Sequence, residues 1–159
     1  MIEKTVTVRL SVYSDRDRDQ VDADARRTID AAFAIARNAY APYSGFCVGA
    51  ALLLANGEIV TGCNQENAAY PSGLCAERVA LFSAGAHYPN VAVKNMAIVA
   101  LKDGQSVAVA PCGACRQVIL ESLARQASSF PVYLAEKHKV TKVENAGDLL
   151  PLAFGPDSL

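Results

Sequence analysis

Residues 46–63 constrain the fold more than any other stretch of the chain: F-C-V-G-A-A-L-L-L, a short A-N-G, then E-I-V-T-G-C. A nearly all-apolar run of this kind is the pattern of a strand covered on both faces. Asn56-Gly57 is a two-residue hairpin signal in which both positions accept positive φ, so Glu58–Cys63 is expected to return antiparallel to the first run. A strand buried on two sides needs a layer above it and a layer below. Apolar residues at Ala25, Ile29, Ala32, Phe33, Ala36 and Tyr40 keep the spacing of one helical face, which predicts a helix over about Asp22–Tyr40, stopped by Pro42 and Gly45. A second helix is expected over about Leu74–Ala86, with Cys75, Val79 and Phe82 on one face, and a third from A-P-C-G-A-C to about Arg125. Met96–Leu101 and Pro131–Ala135 read as strands, Lys139–Val143 as an edge strand, and N-A-G-D-L-L-P-L-A-F as a short helix ending near Pro151. Strands alternating with helices argue for an α/β sandwich of two or three layers, its later strands running parallel through helical crossovers.

Ahead of that order, Thr5–Val12 alternates polar with apolar residues, which suggests a half-buried strand or an extended arm. S-D-R-D-R-D after it reads as a solvated connection. At 159 residues, 52% hydrophobic and 19% charged, the chain can bury a core and is not a disordered segment. A formal net charge of -1 with no run of Lys or Arg leaves no footprint for neutralising phosphates, so no nucleic-acid partner is expected. No apolar stretch approaches the roughly 20 residues that cross a bilayer, and M-I-E-K-T-V-T-V-R-L lacks a secretory signal; the expectation is a cytoplasmic protein with no membrane partner. Five cysteines, an odd number, fit free or metal-bound thiols in a reducing compartment.

Three of those cysteines open helices: Cys75 in C-A-E-R, and Cys112 and Cys115 in P-C-G-A-C-R-Q. Unpaired N–H groups and the macrodipole at a helix N-terminus favour the thiolate that metals require. Positions i and i+3 place Cβ atoms about 5–6 Å apart, and two thiolates on one tetrahedral zinc lie roughly 3.8 Å apart, so Cys112 and Cys115 can share one ion. Cys75 as a third ligand leaves the fourth position free, the pattern of a catalytic site. Glu77, two residues after Cys75, reaches the same cavity and can move protons, while Arg78 is a candidate to offset the charge of three thiolates.

The sequence C-A-E followed by P-C-x-x-C is the thiolate-rich form of the zinc deaminase signature. Together with A-P-Y-S-G-F-C-V-G-A-A-L, N-Q-E-N-A-A-Y-P-S-G-L-C-A-E-R, P-C-G-A-C-R-Q-V and L-L-P-L-A-F-G-P, the chain from about Ala36 onward resembles the small homotetrameric cytidine deaminases. That resemblance implies a three-layer α/β sandwich with a mixed central sheet, one zinc per chain on Cys75, Cys112 and Cys115, and Glu77 as proton shuttle. By the same resemblance, residues 1–20 are expected to be an N-terminal extension beyond the compact family core, with 21–159 as one domain. It further implies that Asn64 and Glu66 hydrogen-bond the ribose 3′-hydroxyl, that Phe46 packs near the pyrimidine, and that backbone around Ala76 binds the base. Phe154 resembles an aromatic that the family inserts into a neighbouring subunit's pocket. The implied reaction is hydrolytic deamination of free cytidine and 2′-deoxycytidine in pyrimidine salvage, with a small-molecule nucleoside as partner.

Plainer readings stand beside these. C-x-x-C alone also fits a redox pair or half of a closed zinc knuckle. Asn64 and Glu66 could tie down a loop, and Phe154 could be core. Cys47 and Cys63 lie inside strand patterns and read as small buried hydrophobes, and His87 and His138 as solvated. Competing functions are a polynucleotide editor, which would need basic or aromatic surface, a deaminase of an aminoacylnucleoside antibiotic, which would not need N-x-E, and a non-enzymatic zinc module, which would need a fourth ligand.

Overall fold

The computed structural model describes residues 1–126 and 128–159, and Asp157 by its backbone alone. In chain order the strands are β1 (Leu10–Ser14), β2 (Phe46–Leu54), β3 (Ile59–Cys63), β4 (Val93–Lys102), β5 (Gln105–Val107), β6 (Val132–Ala135) and β7 (Lys139–Val143). The helices are α1 (Ala23–Ala36), α2 (Ala76–His87) and α3 (Gly113–Ala124). Among the described residues the strands form one mixed sheet in the order β1-β7-β6-β4-β2-β3, with β5 added along the end of β4. Helix α1 covers one face; α2 and α3 cover the other. This is the expected three-layer α/β sandwich, and no helix among the described residues is long and apolar enough to cross a membrane.

Side-chain alternation along the central strands sorts the core into two clusters. On β2 and β4, Ala50, Leu52, Leu54, Met96, Ile98 and Ala100 face α2 and α3, while Ala51, Ala97 and Val99 face Ala25, Ile29, Ala32 and Ala36 of α1. Small residues let backbone approach backbone. A Cβ at Gly49 would lie 2.1 Å from the Ala32 carbonyl oxygen, and one at Gly62 would lie 2.5 Å from Ala80 N. Glycine is thus required at both positions for helix and sheet to meet.

Several expectations are corrected. Helix α1 starts where predicted, with the Asp22 side chain accepting from Ala25 N at 2.8 Å, but ends at Ala36 rather than Tyr40. Tyr40 instead exchanges backbone hydrogen bonds with the loop after β3, its N–H donating to Asn64 O and its carbonyl accepting from Glu66 N. The β2–β3 hairpin is antiparallel as expected, yet only Gly57 takes positive φ, at 89°. Gly57 N donates to Leu54 O and Leu54 N to Glu58 O, so the turn starts one residue earlier than the N-G pair implies and ends in a left-handed glycine. Helix α2 begins at Ala76 rather than Leu74, and Phe82 on it is exposed. Of the later strand pairs only β4–β6 is parallel, joined by the α3 crossover; β6–β7 is antiparallel. Strand β7 is not an edge, because β1 pairs outside it. Strand β1 itself occupies Leu10–Ser14 rather than Thr5–Val12. The segment before Pro151 is a 3-10 turn at Ala146–Leu149, and β5 was not anticipated.

Candidate active site

Cys75 and Cys112 are the N-cap residues of α2 and α3, in extended backbone conformation, and Cys115 lies in the first turn of α3. Neither cap residue uses its side chain to cap its helix, which leaves both sulfurs free to turn outward from the helix start. Because α2 and α3 pack side by side on one face of the sheet, the two N-termini converge. The three sulfur atoms all lie within 4.8 Å of one another. Cys75 Sγ and Cys112 Sγ are 3.9 Å apart, which matches the spacing of two thiolates on one tetrahedral zinc, about 3.8 Å. Cys115 is fully buried, Cys75 partly buried and Cys112 exposed, so the cluster is open on one side.

Charge in the cluster is arranged for a cation. The Cys75 thiol is pushed down to about 5, chiefly by its hydrogen bond with Cys115, with Arg78 and Cys112 adding to the effect. Cys115 is pushed up by that same hydrogen bond and by burial. Arg78 Nη2 lies 4.0 Å from Cys75 Sγ and donates to Gly73 O at 3.4 Å. Its Nε–H is buried without a hydrogen-bond partner among the described residues, beside sulfurs that carry negative charge when a metal is held. Three convergent cysteine sulfurs, at two helix N-termini and beside an arginine, fit zinc, whose preferred donors are sulfur and nitrogen.

Glu77 follows Cys75 by two residues in the first turn of α2 and is only 4% exposed. Burial pushes its carboxyl above the ordinary range, and negative charge on Cys75 adds to the push, against the lowering from its own backbone N–H. A raised pKa brings a carboxyl closer to the range in which a general acid–base works.

A cavity of about 480 Å³ leads to the cluster. Its walls include Asn64, Glu66, Cys75 and Arg78 from the residues singled out in the sequence, and also Tyr43, Ser44 and Tyr70, which were not. Tyr43 and Tyr70 form an edge-to-face pair with ring centroids 6.3 Å apart. Their motifs, A-P-Y-S-G and A-A-Y-P-S-G, were visible, but nothing in spacing alone says that two exposed tyrosines meet. Asn64, just after β3 on the cavity wall, is tied to β2: its Oδ1 accepts from Val48 N at 2.7 Å and its Nδ2 donates to Phe46 O at 2.9 Å. Glu66 accepts from Tyr43 N at 2.9 Å, Ser44 N and Ser44 Oγ; the Ser44 hydroxyl is the chief cause that holds its carboxyl below the usual range. Ala76 is fully buried and Phe46 half-buried. Phe154 does not line this cavity; it is 62% exposed, with its carbonyl accepting from Gln117 Nε2 at 2.9 Å. Cys47 and Cys63 lie in strands outside the cluster. His87 and His138 are exposed, the latter bonded to Asp15 at 2.7 Å.

Residues 22–129 match the family model described as the cytidine and deoxycytidylate deaminase zinc-binding region. The chain belongs to that family. A cytidine deaminase of Sporosarcina psychrophila is 46% identical over 121 residues, 76% of this chain and 84% of the relative. The crystal structure of a cytidine deaminase from Burkholderia pseudomallei superposes with a TM-score of 0.67 at 44% identity, covering 81% of this chain and 98% of that one. That of Mycobacterium tuberculosis gives 0.63 at 38% identity, covering 84% and 99%. This deaminase family membership makes the chain an enzyme of the hydrolase class, and the sandwich is the fold its relatives share.

Proposed function

We propose that this deaminase converts free cytidine and 2′-deoxycytidine to uridine and 2′-deoxyuridine, in pyrimidine salvage in the cytoplasm. The observation that carries the reading is the convergence of three cysteine sulfurs, with the buried carboxyl of Glu77 in the adjoining helical turn, beside an open cavity that Cys75 lines. Cys75, Cys112 and Cys115 would hold one zinc per chain. When bound, zinc supplies the Lewis acidity that makes a water nucleophilic near neutral pH. Glu77 accepts a proton from that water and delivers it to N3 of cytosine, which makes C4 electrophilic. The water oxygen bonds to C4; Glu77 then takes the remaining proton of that oxygen and carries it to the exocyclic nitrogen, so that the C4 carbonyl forms as the bond from C4 to nitrogen breaks and ammonia leaves. Burial supports the first transfer, because it raises the carboxyl's affinity for a proton.

Asn64 and Glu66 would take the ribose 3′-hydroxyl, supported by their place on the cavity wall. Phe46 would pack near the pyrimidine, and backbone at Ala76, where α2 begins, would bind the base. Exposed Phe154, anchored by Gln117 but away from its own cavity, is suited to reach the cavity of another copy in a homotetramer. Residues 1–20 form an extension of the deaminase domain 21–159, consistent with a family match that begins at residue 22. The test is zinc per chain together with loss of cytidine ultraviolet absorbance, using cytidine, 2′-deoxycytidine and single-stranded DNA in parallel. About one zinc with turnover of both free nucleosides alone is expected; turnover of the DNA, or of neither nucleoside, would overturn the reading.

A further inference from the structure

Glu66 is held by the segment that precedes β2. Ser44 Oγ donates to Glu66 Oε1, Tyr43 N–H donates to Oε2 at 2.9 Å, and Ser44 N–H donates to the same oxygen at 3.3 Å. A carboxylate offers about four lone-pair sites, and three are taken, which leaves one for a hydroxyl entering the cavity. The Ser44 oxygen also accepts from Phe46 N–H at 3.0 Å. Gly45, between Ser44 and Phe46, takes φ +63°, the left-handed conformation that glycine adopts without strain. One hydroxyl thus bonds at once to the carboxylate on the sugar side and to the backbone of the residue on the base side.

We propose that Ser44 is a positioning residue for sugar recognition: its hydroxyl holds Glu66 in the single orientation that leaves an acceptor for a nucleoside hydroxyl. This rests on the reading of Glu66 as the contact to the 3′-hydroxyl. A glutamate on an open cavity wall loses rotamer freedom on binding, and a carboxylate already fixed by three donors has lost it beforehand. The effect falls on binding and not on proton transfer, because Ser44 touches neither Glu77 nor the cysteines.

The test compares wild type, Ser44→Ala, Ser44→Thr and Glu66→Gln with cytidine and with 3′-deoxycytidine. Ser44→Ala is expected to raise KM for cytidine about tenfold, the scale of one hydrogen bond to a charged group, with kcat within about twofold. Ser44→Thr, which keeps the hydroxyl, restores KM, and KM for 3′-deoxycytidine is the same in wild type and Ser44→Ala. If Glu66→Gln raises KM for cytidine but Ser44→Ala does not, the role of Ser44 is wrong and that of Glu66 stands. If neither changes KM, the sugar contact itself fails and the proposal with it. Equal losses with both nucleosides, or a fall in kcat, would show general damage to the loop and overturn the positioning role.

Discussion

On the α1 face of the sheet, the polar groups around the helix start are satisfied: Thr28 Oγ1 donates to Asp24 O at 2.8 Å, and Tyr133 OH donates to Asp22 Oδ2 at 3.0 Å, while farther along β4 the buried Asn95 Oδ1 has no hydrogen-bond partner among the described residues. On the α2–α3 face, by contrast, Glu77 is buried with a raised pKa, Arg78 keeps an unpartnered N–H, and three thiols crowd together. Both faces use alanine-rich helices on a glycine-containing strand, so packing alone does not separate them. What separates them is where each helix begins. Asp22 caps α1 with its side chain and closes that N-terminus, whereas Cys75 and Cys112 leave theirs open toward the cavity. The N-terminus of α1 is closed within the chain; those of α2 and α3 are left open to a ligand.

The largest effect expected from breaking this difference is on the α2–α3 side. Cys115→Ala removes a buried ligand and should abolish stable zinc binding, with kcat/KM falling about 10³-fold or more, measured by metal analysis and single-substrate kinetics. Retention of zinc and activity would remove Cys115 from the cluster. Next, Gly62→Val and Gly49→Val each force a side chain into helix backbone, and each should cost ~3 kcal/mol or more, about 6–12 °C in Tm. The two should differ in kind. Gly62 abuts the Ala76 carbonyl at the start of α2, so its variant should also weaken zinc affinity in the fraction that folds; Gly49 abuts α1, and its variant should not.

The smallest effect concerns the N-terminal edge. Glu144 accepts from Ser11 Oγ at 2.7 Å across the β1–β7 seam and pairs with Lys142, and the Lys142 contact chiefly holds its carboxyl below the ordinary range. A depressed folded pKa contributes stability above the unfolded value, near 4.5, that disappears as pH falls through the folded value. Glu144→Gln should therefore lower Tm slightly at pH 7, by an amount that shrinks as the pH is taken down below 4.5, with no change in turnover at pH 7. A Tm difference that stays constant as the pH falls would assign the effect to packing instead.

How much of this was legible depended on whether a pattern could be satisfied locally. The cysteine and glutamate spacing needs only helix starts to make sense, and the structure brings the four residues together. Strand β1 was misplaced because residues 5–8 alternate as well as 10–14 do, while the actual length is set by β7, whose five residues pair Leu10 with Val143 through Ser14 with Lys139. Helix α1 was overextended because Tyr40 keeps the helical period; its backbone is instead claimed by the loop at Asn64 and Glu66. Asp103 and Gly104, at φ 51° and 75°, make the two-residue turn that was expected at Asn56-Gly57, and they close the β4–β5 hairpin. Ser44 and Tyr43 escaped notice as site residues because their roles arise from contacts more than 20 positions away in sequence.

The central claim is that one site separates metal holding, by Cys75, Cys112 and Cys115, from proton transfer, by Glu77. Zinc content and cytidine turnover measured side by side for wild type and Glu77→Gln test it most directly. The account predicts about one zinc per chain in both proteins and turnover lost by about 10²–10⁴-fold in the variant. A variant that turns over cytidine at the wild-type rate, or one that loses its zinc, would contradict it.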